Sequence, residues 1–389
     1  MKKETKTIVV SAVNLRKGGT LTILRDCLEA ISACQREHGL RVVALVHKKE
    51  LALYDGIEYI ELPWSIRSWV HRLWCEYMTM HKISKQLGDI DLWLSLHDTT
   101  PRVSARRQAV YCHNSYPFFR WQWRHLWQNY RIVCFALFTR WIYRINIHRN
   151  RYIIVQQQWF RNEMARMFGI ARDSIIVSPP IGSGKWNVES GKRKVAANSE
   201  LSTLNSQLST LNSKLFLYPA YPDVHKNFEC LCEAARLLEQ EVGPDRFQVL
   251  LTMSPAMNRY SRWVSRRWGD VKSIRFCGYQ SQEQLSELYA TAHCLVFPSL
   301  VETWGLPISE FAVTGRPMLV ADLPYGHETA AGSRRTAFFN PTDAKALAAL
   351  MLSVINADEH PLHTVPTTQI EPPCTQGWPQ LIDKLLNGE

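Results

Sequence analysis

No stretch of the chain stays apolar for the ~20 residues that a bilayer-crossing helix needs. The longest uninterrupted runs, such as 132–137, fall far short, and a transmembrane protein is not expected. A secretory signal is not expected either, because Glu4 breaks the basic start and Arg16-Lys17-Gly18-Gly19 follows the apolar run 7–13 at once. That run reads as a first β-strand. The ten cysteines form no Cys-x-x-Cys pair and no Cys/His ladder, so neither a metal site nor a disulfide framework is expected. In a chain of 389 residues they read as reduced thiols in a cytoplasmic protein. Acidic residues are absent from 99–162, a span holding eleven arginines, which equals the formal net charge of +11 of the whole protein.

What is present suits a globular protein with a sizeable core: 46% of residues are hydrophobic and 21% charged. Two domains follow from roughly 150 residues per domain. The excess of 46 Lys and Arg over 35 Asp and Glu favours phosphate or other anions as partners without saying which.

Short β-branched runs alternate with amphipathic segments throughout, the pattern of parallel strands joined by crossover helices. Strands are expected at 7–13, 41–47, 59–62, 91–97, 109–113, 152–156 and 175–179, then at 215–219, 247–253, 273–277, 293–298 and 317–321. Helices are expected at 21–37, 66–87, 159–168, 228–240 and 378–386. Two doubly wound α/β sheets result. The first domain is expected at 1–182 and the second at 215–372. Between them, 183–214 is a low-complexity linker in which LSTLNSQ is followed by LSTLNSK, too helix-poor for a coiled coil. The last helix, within 373–389, follows a proline-rich stretch long enough to bring it across the domain junction.

The most informative segment is 296–320. A buried strand runs into a loop holding Glu302; Gly305 permits close backbone approach, Pro307 suits a first helical turn, and Gly315 can end the helix carrying Glu310. Such a helix start suits a diphosphate, and flanking carboxylates suit sugar hydroxyls. A second segment, Tyr218-Pro-Ala-Tyr-Pro-Asp-Val-His225-Lys226-Asn227, leads from a strand into a helix. In the first half, Lys17-Gly18-Gly19-Thr20 joins the first strand to the first helix, where paired glycines let a substrate approach the backbone. His113 follows the strand 109–113 directly.

The Glu-x7-Glu segment, with Gly-Leu-Pro between the two acids, closely resembles the donor-site signature of family 4 (group 1) retaining glycosyltransferases, which have the GT-B fold. That fold is two Rossmann-like domains facing across a cleft. The resemblance implies that Glu302 faces the donor sugar, that Glu310 holds the nucleotide ribose, and that the backbone at Gly305 and Leu306 caps the phosphates. In the second segment, Lys226 takes the place of the family's phosphate-binding lysine. Ala220 stands where the family has an arginine, and His225 is expected to replace part of that charge. Gly18 and Gly19 match a glycine loop facing the reaction, and His113 resembles the family histidine that contacts the donor sugar.

The activity implied is transfer of a sugar from a nucleoside diphosphate to a hydroxyl, with retention, in the assembly of cell-surface polysaccharide, lipopolysaccharide or glycolipid. No cofactor and no metal are implied. The acid-free stretch, with Trp121, Trp123, Trp127, Trp141 and Trp159 among its arginines, suits an anionic membrane surface at the inner face of the cytoplasmic membrane and a lipid-linked glycan acceptor. Three other readings compete: a catalytically decayed scaffold that binds membranes or partners, a nucleotide-sugar epimerase or hydrolase of the same fold, and a nucleic-acid binder. For the last, base-reading motifs are lacking.

Three further features are discounted. Gly182-Ser-Gly-Lys185-Trp186 lacks the earlier glycine and the Ser or Thr of a P-loop. Asp89-Ile-Asp91 sits before a strand as a turn. His97-Asp98 has no partner nucleophile at a recognisable spacing.

Overall fold

A computed structural model describes residues 5–180, 213–367 and 369–388. The linker expected at 183–214 lies outside the described residues, apart from its last two. The chain divides into two compact units. One comprises Met1–Pro117, Leu137–Ile181 and Ile370–Glu389, the other Phe118–Ala136 and Gly182–Gln369.

The first unit holds a seven-stranded parallel sheet in the order β3-β2-β1-β4-β5-β6-β7. Its strands are β1 (Thr7–Ala12), β2 (Arg41–Val46), β3 (Ile57–Glu61), β4 (Leu92–Ser95), β5 (Arg107–Tyr111), β6 (Tyr152–Val155) and β7 (Ile175–Val177). Every residue of β1 is buried, as expected for a central parallel strand covered on both faces. Val9 pairs with Val43 on one side and Trp93 on the other.

The second unit has six parallel strands in the order β10-β9-β8-β11-β12-β13. These are β8 (Lys214–Tyr218), β9 (Phe247–Leu251), β10 (Ile274–Phe276), β11 (Cys294–Phe297), β12 (Met318–Ala321) and β13 (Thr336–Phe339). In each unit the strand order reverses once, between β1 and β4 and between β8 and β11. In open α/β sheets ligands bind outside the carboxyl ends of the strands at such a reversal, which makes the loops leaving those pairs the first place to look.

Both sheets stand where they were expected, and two features depart from the sequence reading. The span 66–87 is broken into a helix Trp69–Trp74, a widened turn Cys75–Thr79 and a helix Met80–Leu87. The widened turn directs Cys75 and Glu76 into the interior, where Glu76 binds Arg72 and accepts from Thr99 Oγ1 at 2.6 Å. β13 was not anticipated. The last helix, Gly377–Asn387, counts with the first unit. It buries Leu381, Ile382 and Leu385 in the core beside the helix Gly18–His38, and Arg107 donates to the Leu386 carbonyl at 2.9 Å. Trp378 stacks on Tyr111 with centroids 5.4 Å apart, and Thr375 N–H donates to the Val177 carbonyl at 3.0 Å.

The acid-free stretch forms a helix, Trp123–Arg144, kinked at Asn129, where φ is −158° and ψ 82°. Its portion up to Ala136 belongs with the second unit. Among the described residues no helix is long and apolar enough to cross a membrane. All ten cysteines are free thiols.

Candidate functional site

The two sequence segments singled out in the second half leave the ends of β8 and β11, the strands at that unit's reversal point. Hydrogen bonds lock the loops together. Leu300 N–H donates to the His225 carbonyl at 2.7 Å. The buried Tyr218 hydroxyl donates to the Lys226 carbonyl at 2.7 Å and lies 2.9 Å from Ser299 Oγ, while Tyr325 donates to the Ser299 carbonyl at 2.6 Å. Burial pushes the Tyr218 and Tyr325 phenols well up from their ordinary value, and the nearby Glu302 carboxylate pushes the same way, so both stay neutral donors.

Asn227 completes the lock. It adopts the left-handed region at φ +55°, which asparagine tolerates better than most residues. Its side-chain amide donates to the carbonyls of Pro298 at 3.0 Å and Pro341 at 2.8 Å. Sequence reasoning passed over it, although an asparagine directly before a helix is the available signal.

This framework brings Lys226 and Glu302 together. Lys226 Nζ donates to Glu302 Oε1 at 2.5 Å, with the side chains only 19% and 12% exposed. Three residues on, Gly305 sits at φ +87°, and a Cβ there would stand 3.2 Å from Ile308 Cδ1 and 3.5 Å from the Phe297 ring. Glycine is therefore required at the turn into the helix Leu306–Ala312. Glu310, on that helix, accepts the Tyr289 phenol at 2.8 Å. Burial pushes the Glu310 carboxyl up, and the Tyr289 hydrogen bond opposes the rise.

His225 does not replace the missing arginine. It is buried, and burial together with Lys226 beside it pushes its imidazole well down, so the ring carries no charge near neutral pH. It packs instead on Phe119 (centroids 6.2 Å), which stacks on His125 at 5.2 Å. Ala220 N–H is taken by Thr252 Oγ1 at 3.0 Å. From the segment packed there, Arg124 acts electrostatically on the buried Glu229, which accepts the Tyr260 phenol. The acid-free stretch thus supplies part of the second unit's surroundings, a role its composition did not disclose.

The remaining candidates lie in the first unit. Gly18, at φ +60°, opens the helix Gly18–His38 beyond β1, with Gly19 next in its first turn; both are exposed. His113 follows β5, and its Nε2 lies 3.3 Å from Asp98 Oδ2. Asp98 was discounted in the sequence beside His97, because its partner, His113, is fifteen residues away on the next strand's loop.

His97 does have a serine partner, in contrast to the expectation. Its Nε2 is 3.1 Å from Ser11 Oγ and its Nδ1 is 3.5 Å from Glu76 Oε1. Ser11 and His97 are buried at 0% and 2% exposure, and Ser11 Oγ also accepts from Trp93 Nε1 at 3.1 Å, so the group is a satisfied core network. Asp91, likewise, ties down the start of β1 by accepting Thr7 N–H at 2.8 Å.

Residues 214–357 match the family described as Glycosyl transferases group 1. The O-antigen chain mannosyltransferase B of Escherichia coli is 29% identical over 143 residues, covering 36% of this chain and 37% of that protein. The chain therefore aligns with little more than a third of that curated relative's length. Among solved structures, WaaG, a glycosyltransferase involved in lipopolysaccharide biosynthesis, superposes with a TM-score of 0.62 at 13% identity, covering 98% of this chain and all of that one. HepE of Anabaena, in complex with UDP-glucose, superposes with a TM-score of 0.58 at 13% identity, covering 91% and 92%. At these identities the likeness is one of fold, and the fold is GT-B.

Proposed function

We propose that this chain, whose residues 214–357 belong with the group 1 glycosyl transferases, moves a sugar from a nucleoside diphosphate to a hydroxyl acceptor. The observation that carries the reading is the Lys226–Glu302 pair held at the β8/β11 reversal point, the place where open α/β sheets bind ligands. Lys226 supplies the positive charge that a departing diphosphate requires, doing the work a metal does elsewhere. Glu302 faces the sugar, Glu310 takes the ribose hydroxyls, and the backbone at Gly305 and Leu306 approaches the phosphates. By the same resemblance, Gly18, Gly19 and His113 of the first unit are further site candidates.

The resemblance of the Glu302-to-Glu310 segment to the retaining family supports a retaining course on one face. The bond from the anomeric carbon to phosphate oxygen breaks, the bond to the acceptor oxygen forms on the same side, and the acceptor proton passes to the departing diphosphate. Protein groups act by positioning and charge stabilisation. The named relatives, an O-antigen mannosyltransferase and a lipopolysaccharide glycosyltransferase, support a place in cell-surface polysaccharide or lipopolysaccharide assembly.

A membrane-facing role at the inner surface of the cytoplasmic membrane, with a lipid-linked acceptor, is supported by what stands exposed. Trp123 and Trp127 are 76% and 77% exposed, beside the exposed Arg124 and Arg131. In the first unit, Trp69, Val70 and Trp74 are exposed on one short helix. Large apolar side chains left in water among arginines suit a head-group layer.

The loss of a cation at Ala220, together with a neutral His225, favours a second reading: a scaffold that binds nucleotide and turns nothing over. One experiment separates the two. UDP-, GDP- and ADP-sugars are screened by thermal shift, where a ligand at a hundred times its Kd adds about 2.7 kcal/mol of stability. The stabilising donor is then incubated with lipid extracts and its products analysed. Transfer supports the enzyme; binding with neither transfer nor hydrolysis supports the scaffold.

A further inference from the structure

The turn after β4 is made by Asp98, not by a glycine, although its φ is +68°. An aspartate held in that region is kept there by what its carboxylate does. Oδ1 accepts two main-chain N–H groups of the loop after β5, from His113 at 2.7 Å and Asn114 at 3.0 Å. Oδ2 faces the imidazole of His113, 3.3 Å from Nε2, and the buried Tyr143 hydroxyl also bonds this carboxylate. Both side chains are largely buried, at 10% and 9% exposure. One carboxylate thus fixes the loop and the ring it carries.

An ionised carboxylate can only accept, so a neutral His113 must carry its proton on Nε2, leaving Nδ1 with a lone pair. Nδ1 is buried and bonds to no group among the described residues. A buried acceptor without a donor is costly unless something else fills the place.

We infer that Asp98 is a positioning residue for His113: it holds the Nε2–H tautomer so that Nδ1 accepts a hydrogen bond from a hydroxyl of the bound sugar. This rests on the reading of His113 as a donor-sugar contact.

Asp98→Asn is the decisive variant. Asparagine tolerates the same backbone, and its Oδ1 still accepts from His113 and Asn114, so the loop is preserved. Its amide now donates to Nε2, which drives the ring proton to Nδ1 and removes the acceptor. With histidine labelled at the ring nitrogens, NMR of the wild type is expected to show His113 protonated at Nε2 and bare at Nδ1, and the variant to show the reverse. Donor-sugar kcat/KM is expected to fall about tenfold, as for one lost hydrogen bond to a polar group, with the thermal midpoint unchanged. Asp98→Asn combined with His113→Ala should lose no more than His113→Ala alone.

A wild-type proton on Nδ1, undiminished turnover in Asp98→Asn, or additive losses in the double variant would each overturn the assignment. The ring tautomer is measured without substrate. A wild type inactive on every donor therefore overturns the transferase reading, while the spectrum still decides the Asp98–His113 arrangement.

Discussion

Lys226 and Glu302 come from different crossover loops and meet at 2.5 Å, so the cation proposed to receive a diphosphate is already held by a carboxylate. A diphosphate must compete for that ammonium. Lys226→Ala removes a charge-assisted hydrogen bond worth about 1.5–3 kcal/mol and should weaken nucleoside diphosphate binding roughly 10- to 100-fold. Glu302→Gln removes the competitor. It should bind the free diphosphate a few-fold more tightly while transferring almost no sugar, a split between affinity and turnover. Calorimetric titration with UDP and GDP beside turnover assays tests both variants. Weaker diphosphate binding in Glu302→Gln would break the proposed competition.

Asn227 supplies a backbone conformation and two hydrogen bonds at once, and the two contributions can be separated. Asn227→Gly keeps the left-handed turn and loses the bonds to Pro298 and Pro341, so destabilisation of about 1–3 kcal/mol is expected. Asn227→Ala adds the strain of φ +55°, about 1 kcal/mol more. Urea unfolding should rank wild type above the glycine variant and the glycine variant above the alanine one. An alanine variant as stable as the glycine one would remove the backbone role.

Most strands were legible because parallel strands buried on both faces read as apolar runs, and twelve of the thirteen overlap the expected segments, the half-exposed β3 and β10 included. β13 was missed because Thr-Ala-Phe-Phe is only four residues long, although Gly332-Ser333 before it and Asn340-Pro341 after it are turn signals. Local pattern could not show that the helix over 66–87 would break, since the cause is a buried Glu76 held by Thr99, 23 residues away. Lys226, Glu302, Gly305 and Glu310 were visible as a motif. Asn227, Tyr218 and Asp98 were not, because each acts through a partner on another loop. His225 misled for the same reason: its charge depends on burial against Phe119, which lies over a hundred residues earlier.

Salt and apolar contact separate the forces in the proposed membrane surface. Trp123→Ala with Trp127→Ala alters side chains already in water, so stability should change by no more than about 0.5 kcal/mol each. Co-sedimentation with anionic vesicles should nevertheless drop several-fold. Arg124→Gln with Arg131→Gln should weaken binding to anionic vesicles and leave binding to neutral ones unchanged, because only the former has charge to meet. Raising salt should mimic the arginine variants, not the tryptophan ones. Steeply salt-dependent affinity for RNA, with no vesicle binding, would instead point to a nucleic-acid surface.

Glu310 gives a pH test with a definite sign. Burial raises its carboxyl pKa in the folded chain, so the folded state keeps a proton that the unfolded state has already lost. Stability therefore falls as pH rises from the ordinary carboxylate value, about 4.3, through the folded value of Glu310. Glu310→Gln lacks this loss, so wild type minus variant stability should decline across that window and then level off. The buried Glu229 has its pKa raised in the same direction, and the subtraction removes its contribution. Nucleotide affinity should run the opposite way: an ionised Glu310 accepts ribose hydroxyls better, so wild-type binding strengthens over the same rise in pH. The Gln variant should stay flat. Thermal melts and nucleotide titrations from pH 4 upward check both halves. Parallel nucleotide-affinity curves for wild type and Glu310→Gln would remove Glu310 from the ribose site.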